Sequence, residues 1–170
     1  LDRQSGPAWA VRARLLKHEP GRLEEALKAA VHAVALGETQ DLLKAELLEQ
    51  LGRSEEAHTS LSEALEKEPA NAEIRAQLVL LQHQAGNPEA AFEILAEAPA
   101  GALEGPALHL QKGRLILAEA DRYRDGTGDR DRELLSEADL AFEAALEVDR
   151  ESGVGWLGKA RIQRMLKDYS

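Results

Sequence analysis

The chain has 170 residues, no cysteine and a formal charge of −10. Without cysteine there are no disulfides, thiolate metal sites or cysteine nucleophile. The acidic balance argues against nucleic acid and anionic lipid as partners, because both affinities come from lysine and arginine. Its apolar residues are mostly Ala and Leu, with two each of Phe, Tyr and Trp, and such small side chains suit closely packed helices better than a β-sandwich. No apolar run approaches the roughly 20 residues of a membrane-spanning helix, so no direct membrane insertion is expected. The start, LDRQSGPAWAV, lacks a basic segment leading into a hydrophobic one, so it does not read as a secretory signal.

Along the chain the clearest elements are two similar stretches, LGRSEEAHTSLSEALEKEP from Leu51 and AGNPEAAFEILAEAP from Ala85. Their glycines, Gly52 and Gly86, stand 34 residues apart. Each glycine reads as the end of one helix and is followed by the start of another. Ser54 with Glu55 and Glu56 reads as an N-cap with acids in the first turn. Asn87-Pro88 reads as an N-cap with proline at the first helical position. Ala57, Leu61, Ala64 and Leu65 recur at helical spacing, as do Ala91, Leu95 and Ala98. Pro69 and Pro99 stop these helices.

With this period and composition the chain resembles the tetratricopeptide repeat (TPR) family, whose unit is a helical hairpin of 34 residues. On that resemblance the small residue of the first helix falls on Ala13, Ala45, Gly113 and Ala160, with Val79 as a departure. The small residue of the second helix falls on Ala26, Ala57, Ala91 and Ala138. The large residue after it falls on Ala30, Leu61, Leu95 and Phe142, and the family's tryptophan on Trp9 and Trp156. The expected fold is all-α, an α-solenoid of stacked antiparallel hairpins at about 6–37, 38–70, 72–98 and 106–148, with an extra helix at 153–168. The expected organisation is one array over 1–170, cut from a longer chain. A HEAT-like array or a plain bundle is the alternative.

The fourth hairpin is long: Gly113 to Ala138 spans 25 residues where Ala45 to Ala57 spans 12. The excess holds RYRDGTGDRDR, read as an extended turn over 121–131 centred on Gly126-Thr127-Gly128, with Tyr123 packing on Leu134 or Leu135. Asp125, Asp129 and Asp131 invite a calcium reading, but their order around the glycines does not match the calcium-loop pattern. The last helix is expected to bury Trp156, Ala160, Met165, Leu166 and Tyr169.

Chemistry is sparse. The five histidines are scattered without a His-x-x-x-His pair, no serine has a nucleophile-elbow context, and Gly126-Thr-Gly128 lacks a following Gly-Lys-Ser/Thr. No catalysis, cofactor or metal is therefore expected. The expected function is a non-catalytic scaffold that binds a partner protein or peptide. The alternatives are a regulatory or positioning segment of a larger enzyme or export machine, and a self-association module. The resemblance implies that first helices line a concave face carrying Arg14, Lys17 and His18, then Leu42, Leu43, Glu46, Glu49 and Gln50. Further along come Gln77, Leu80, His83 and Gln84, then Leu110, Gln111, Arg114 and Leu117, then Leu157, Arg161 and Arg164. The cations of that face favour a partner with an acidic segment, Arg114 and Arg161 being the expected anchors.

Overall fold

The structure is a computed structural model that describes residues 5–99, 102, 105–122 and 129–167. Among them are nine helices and no strand. They fall into two compact units divided after Glu68. The first holds α1 (Gly6–Lys17), α2 (Leu23–Ala35), α3 (Asp41–Gln50) and α4 (Ser54–Lys67). The second holds α5 (Ala72–Gln84), α6 (Pro88–Ala96), α7 (Pro106–Arg122), α8 (Asp129–Val148) and α9 (Gly153–Lys167). Within each unit consecutive helices pack on each other, and in the second unit the first helices α5, α7 and α9 also touch in turn. The fold is all-α and of the TPR-like α-solenoid class.

The turns follow from backbone chemistry. Gly52 and Gly86 adopt φ of 74° and 80°, a region that costs other residues energy. There the chain reverses and the helix ends close: the Arg53 amide donates to the Leu48 carbonyl at 2.8 Å, and the Asn87 amide to the Gln82 carbonyl at 2.9 Å. These bonds satisfy carbonyls that a helix end otherwise orphans.

Helix starts use two devices. Asn71 Oδ1 accepts from the Glu73 and Ile74 amides at 3.1 Å each, capping α5. Ser54 is not an N-cap; it is the first residue of α4, and Arg53 takes the cap position without a side-chain cap bond. Instead the Arg53 guanidinium grips Glu56 through two bonds of 2.6 Å. Arg22, at the start of α2, grips Glu25 in the same way at 3.2 and 2.7 Å.

Small residues sit where helices meet. Ala13, Ala26, Ala45, Ala57, Ala91 and Ala138 all have 0% of their surface exposed, so neighbouring backbones approach closely. Val79, the departure from the pattern, is buried in a cluster with Ala91, Leu108 and Leu115. In the last hairpin the seam is different. Phe142 of α8 lies against both Gly113 of α7 and Gly158 of α9: a Cβ on Gly113 would come within 3.0 Å of the ring, and one on Gly158 would overlap it. Leu146 likewise fills the space over Gly155, 2.8 Å from where a Cβ would stand.

That seam corrects the reading of α9. Its buried face is Gly155, Gly158, Ile162 and Met165, whereas Trp156, Ala160 and Leu166 are exposed. Tyr169 lies outside the described residues. In the long hairpin, helix covers Asp121–Arg122 and 129–131, both read as turn from the sequence. Asp131 is buried. Tyr123, Asp125 and Gly126-Thr127-Gly128 lie outside the described residues.

Candidate partner-binding faces

In the second unit the expected face is largely polar on α5 and α7, whereas on α9 it exposes Leu157. On α5 Gln77 and His83 are half-buried and Gln84 is exposed. His83 Nδ1 is shielded from solvent and has no hydrogen-bond partner among the described residues. On α7 Gln111 is half-buried and Arg114 exposed; their i, i+3 spacing puts them on one side, with Asp121 seven residues further along the same stripe. Arg161 of α9 pairs with that Asp121, tying α9 to α7. Arg114 and Arg164 are exposed and meet no acid among the described residues. Leu117, expected on this face, is instead buried with Phe142, Ile162 and Met165.

In the first unit the expected cations are engaged. Lys17 forms an ion pair with Glu46 of α3, and Arg14 donates to Gln40 Oε1 at 3.2 Å. His18 is the C-cap residue of α1 and is exposed. The positive charge that the sequence gathers on one face is therefore partly neutralised by local pairs. In the second unit Arg114 and Arg164 remain available for a ligand.

One residue escaped the sequence reading. Arg75 is buried and donates to the Ile94 carbonyl at 2.8 Å and the Pro69 carbonyl at 3.0 Å, where Ile94 lies in the last turn of α6. A cation there serves the negative end of the helix dipole as well as its orphan carbonyls. In sequence it has a single buried apolar neighbour on each side, Ile74 and Ala76, between the polar Glu73 and Gln77, and little there marks it as buried. Trp156, expected from the sequence to be buried, is 56% exposed and donates from Nε1 to the Arg150 carbonyl at 2.8 Å. It lines an open cleft of about 310 Å³ with Glu143, Leu146, Glu147, Arg150 and Lys159. No group of three or more His, Cys, Asp or Glu able to hold a metal occurs among the described residues, and no described helix is long and apolar enough to cross a membrane.

Comparison with known proteins places this geometry. Residues 48–115 match the tetratricopeptide repeat family model. No curated protein matches the sequence. Among solved structures, the human IFIT1 dimer with m7Gppp-AAAA is 20% identical with a TM-score of 0.76, the match covering 99% of this chain and 40% of that one. A monomeric IFIT1 mutant with Gppp-AAAA is 22% identical with a TM-score of 0.73, covering 99% and 41%. The chain thus spans about 40% of the length of the IFIT1 chains it matches, and at this identity the likeness is one of fold. The repeat model matches 48–115, less than half of the chain, and helical hairpins flank that stretch among the described residues, so the chain is similar to the tetratricopeptide repeat family there and TPR-like in fold.

Proposed function

We propose that the chain is a non-catalytic interaction module that binds a partner protein or peptide along the first-helix face of its second unit. The observation that carries this reading is the pair of exposed cations without local acids, Arg114 and Arg164, beside Gln84 and Gln111 on a TPR-like scaffold, whose usual role is protein binding. Glutamines and a half-buried histidine offer hydrogen bonds to a peptide backbone. The two guanidiniums offer two-point bonds to carboxylates. The partner segment is acidic on this reading, and Arg164 replaces Arg161 as an anchor because Arg161 is already held by Asp121.

The IFIT1 structures hold m7Gppp-AAAA, so a capped oligonucleotide is the ligand to set against a peptide. The formal charge of −10 opposes that alternative, since phosphate binding draws on lysine and arginine in excess. The test is capture of partners from the source organism, then titration of a captured peptide and of m7Gppp-AAAA against the parent chain and the Arg114→Glu/Arg164→Glu variant. The peptide is expected to bind the parent and to lose roughly 2–4 kcal/mol with both arginines reversed, as two charge-assisted bonds imply. Unchanged peptide affinity, or binding of the oligonucleotide alone, contradicts the reading.

A further inference from the structure

The outer sides of α8 and α9 carry opposite charge around apolar centres. On α8 helical spacing sets Glu133, Leu140 and Glu147 along one exposed line. On α9 it sets Trp156, Ala160, Gln163 and Lys167 along another, opposite the buried Gly158 and Ile162. Leu140 is 63% exposed and Trp156 56%. Both lines border the same cleft, which Glu147 and Trp156 line together with Leu146. The indole is held by its bond to the Arg150 carbonyl, and a pre-positioned aromatic loses little entropy when it is covered.

The packing of the two helices fixes which residues stand level. Phe142 lies against Gly158 and Leu146 against Gly155, and Lys159 pairs with Asp139 at 3.1 Å, so the helices run antiparallel. Leu140 then stands level with Ala160, and Glu133 with Lys167. Glu133 and Lys167 are exposed, and neither joins an ion pair among the described residues. A two-fold axis lying between the two lines, parallel to the helices, sets the α8 line of one copy over the α9 line of the other at the same level. Leu140 then meets Ala160, which is small enough to receive it beside Trp156, and Glu133 meets Lys167. Each contact is made twice. A two-fold contact needs a patch that complements itself, and this one does, with acid on one helix and cation on its neighbour. Helix α1 also exposes two large apolar residues, Val11 and Leu15, but its charged residues are all cations, so that face repels its own copy.

We propose that two copies of the chain associate through the outer faces of α8 and α9. Leu140 of each copy sits on Ala160 beside Trp156 of the other, and Glu133 pairs with Lys167 across the two-fold axis. None of these residues belongs to the face that carries Gln84, Gln111, Arg114 and Arg164, so this contact and the groove reading stand or fall separately. Ser136 lies beside the α8 line, so a crosslinker there joins two chains rather than the chain to a groove partner.

Sedimentation equilibrium tests it, at about 0.15 M salt so that the repulsion between two chains of −10 is screened beyond about 8 Å. The parent chain is expected to dimerise. Glu133→Lys and Lys167→Glu each bring like charges together at both contacts, and each variant alone is expected to dimerise at least about tenfold more weakly. An equimolar mixture of the two variants brings opposite charges together at both contacts and is expected to regain the parental affinity. Trp156→Ala or Leu140→Asp weakens the parent dimer about tenfold, while Leu15→Asp leaves it unchanged. All of these positions are exposed, so the variants keep the fold. A parent chain that stays monomeric at about 1 mM, where even weak dimers form, overturns the proposal. So does either charge variant dimerising as well as the parent, a mixture no tighter than its components, or a dimer lost with Leu15→Asp and kept with Leu140→Asp.

Discussion

In the first unit the helices meet through alanines, with Ala13, Ala26, Ala45 and Ala57 at the contacts. In the second, the α7–α8–α9 seam is made by Phe142 seated against Gly113 and Gly158. Both arrangements keep helices close, yet they spend side-chain volume in opposite ways. An alanine seam has no room for growth, and each residue contributes little that could be removed. A phenylalanine seated on two glycines concentrates the contact in one side chain. The first unit should therefore be sensitive to enlargement and the second to truncation.

The largest expected effect breaks the second arrangement. Phe142→Ala leaves a cavity between three helices and should cost about 3–5 kcal/mol, read by denaturant unfolding. Filling the space from the other side, as Gly158→Ala/Phe142→Leu, should recover part of that loss; no recovery would mean that the phenylalanine acts other than by filling the seam. Next comes Arg75→Ala in the same unit. It removes two bonds from a buried cation to the Ile94 and Pro69 carbonyls and should cost about 2–3 kcal/mol. In the first unit, Ala57→Phe overpacks a helix contact and should cost about 1–3 kcal/mol, whereas Ala57→Gly should cost less. If Ala57→Phe were neutral, the alanine seam would not be close-packed.

The smallest effect sharpens the comparison at the surface. In the first unit, bonds from Arg22 and Arg53 hold the Glu25 and Glu56 carboxyls below their ordinary range. Carboxyls lowered in the folded state contribute stability that is present above their unfolded pKa and lost as pH falls through the lowered folded values. Both groups are exposed, so the loss on acidification should be slight and should shrink further in salt. Arg53→Ala should flatten this part of the pH profile without moving the core.

Much of this architecture is written in the residues themselves. Gly52 and Gly86 mark turns because the backbone there needs a positive φ. Ala57, Ala91 and Ala138 mark contacts because only a small side chain fits. The register of α9 was less legible. Trp156 and Ala160 carry the letters of the family pattern, but Phe142 demands glycine opposite it, and Gly155 and Gly158 supply that face instead. Sequence spacing within one helix does not reveal which residue a neighbouring helix will require. The charged face was legible as a collection of cations and not as a field. The pairs Lys17–Glu46 and Arg161–Asp121 join residues distant in sequence, so the acids that neutralise these cations are visible only once the helices are packed. Arg75 was hidden for a similar reason, since its partners are backbone carbonyls.

The central claim is that a partner lies along the first-helix face of the second unit. A photo-crosslinking residue placed at Gln111, on that face, and separately at Ser136, exposed on α8, tests it most directly with the partner present. The account predicts an adduct from Gln111 that disappears with Arg114→Glu, and none from Ser136. An adduct from Ser136 alone, or one from Gln111 that survives the charge reversal undiminished, would contradict it.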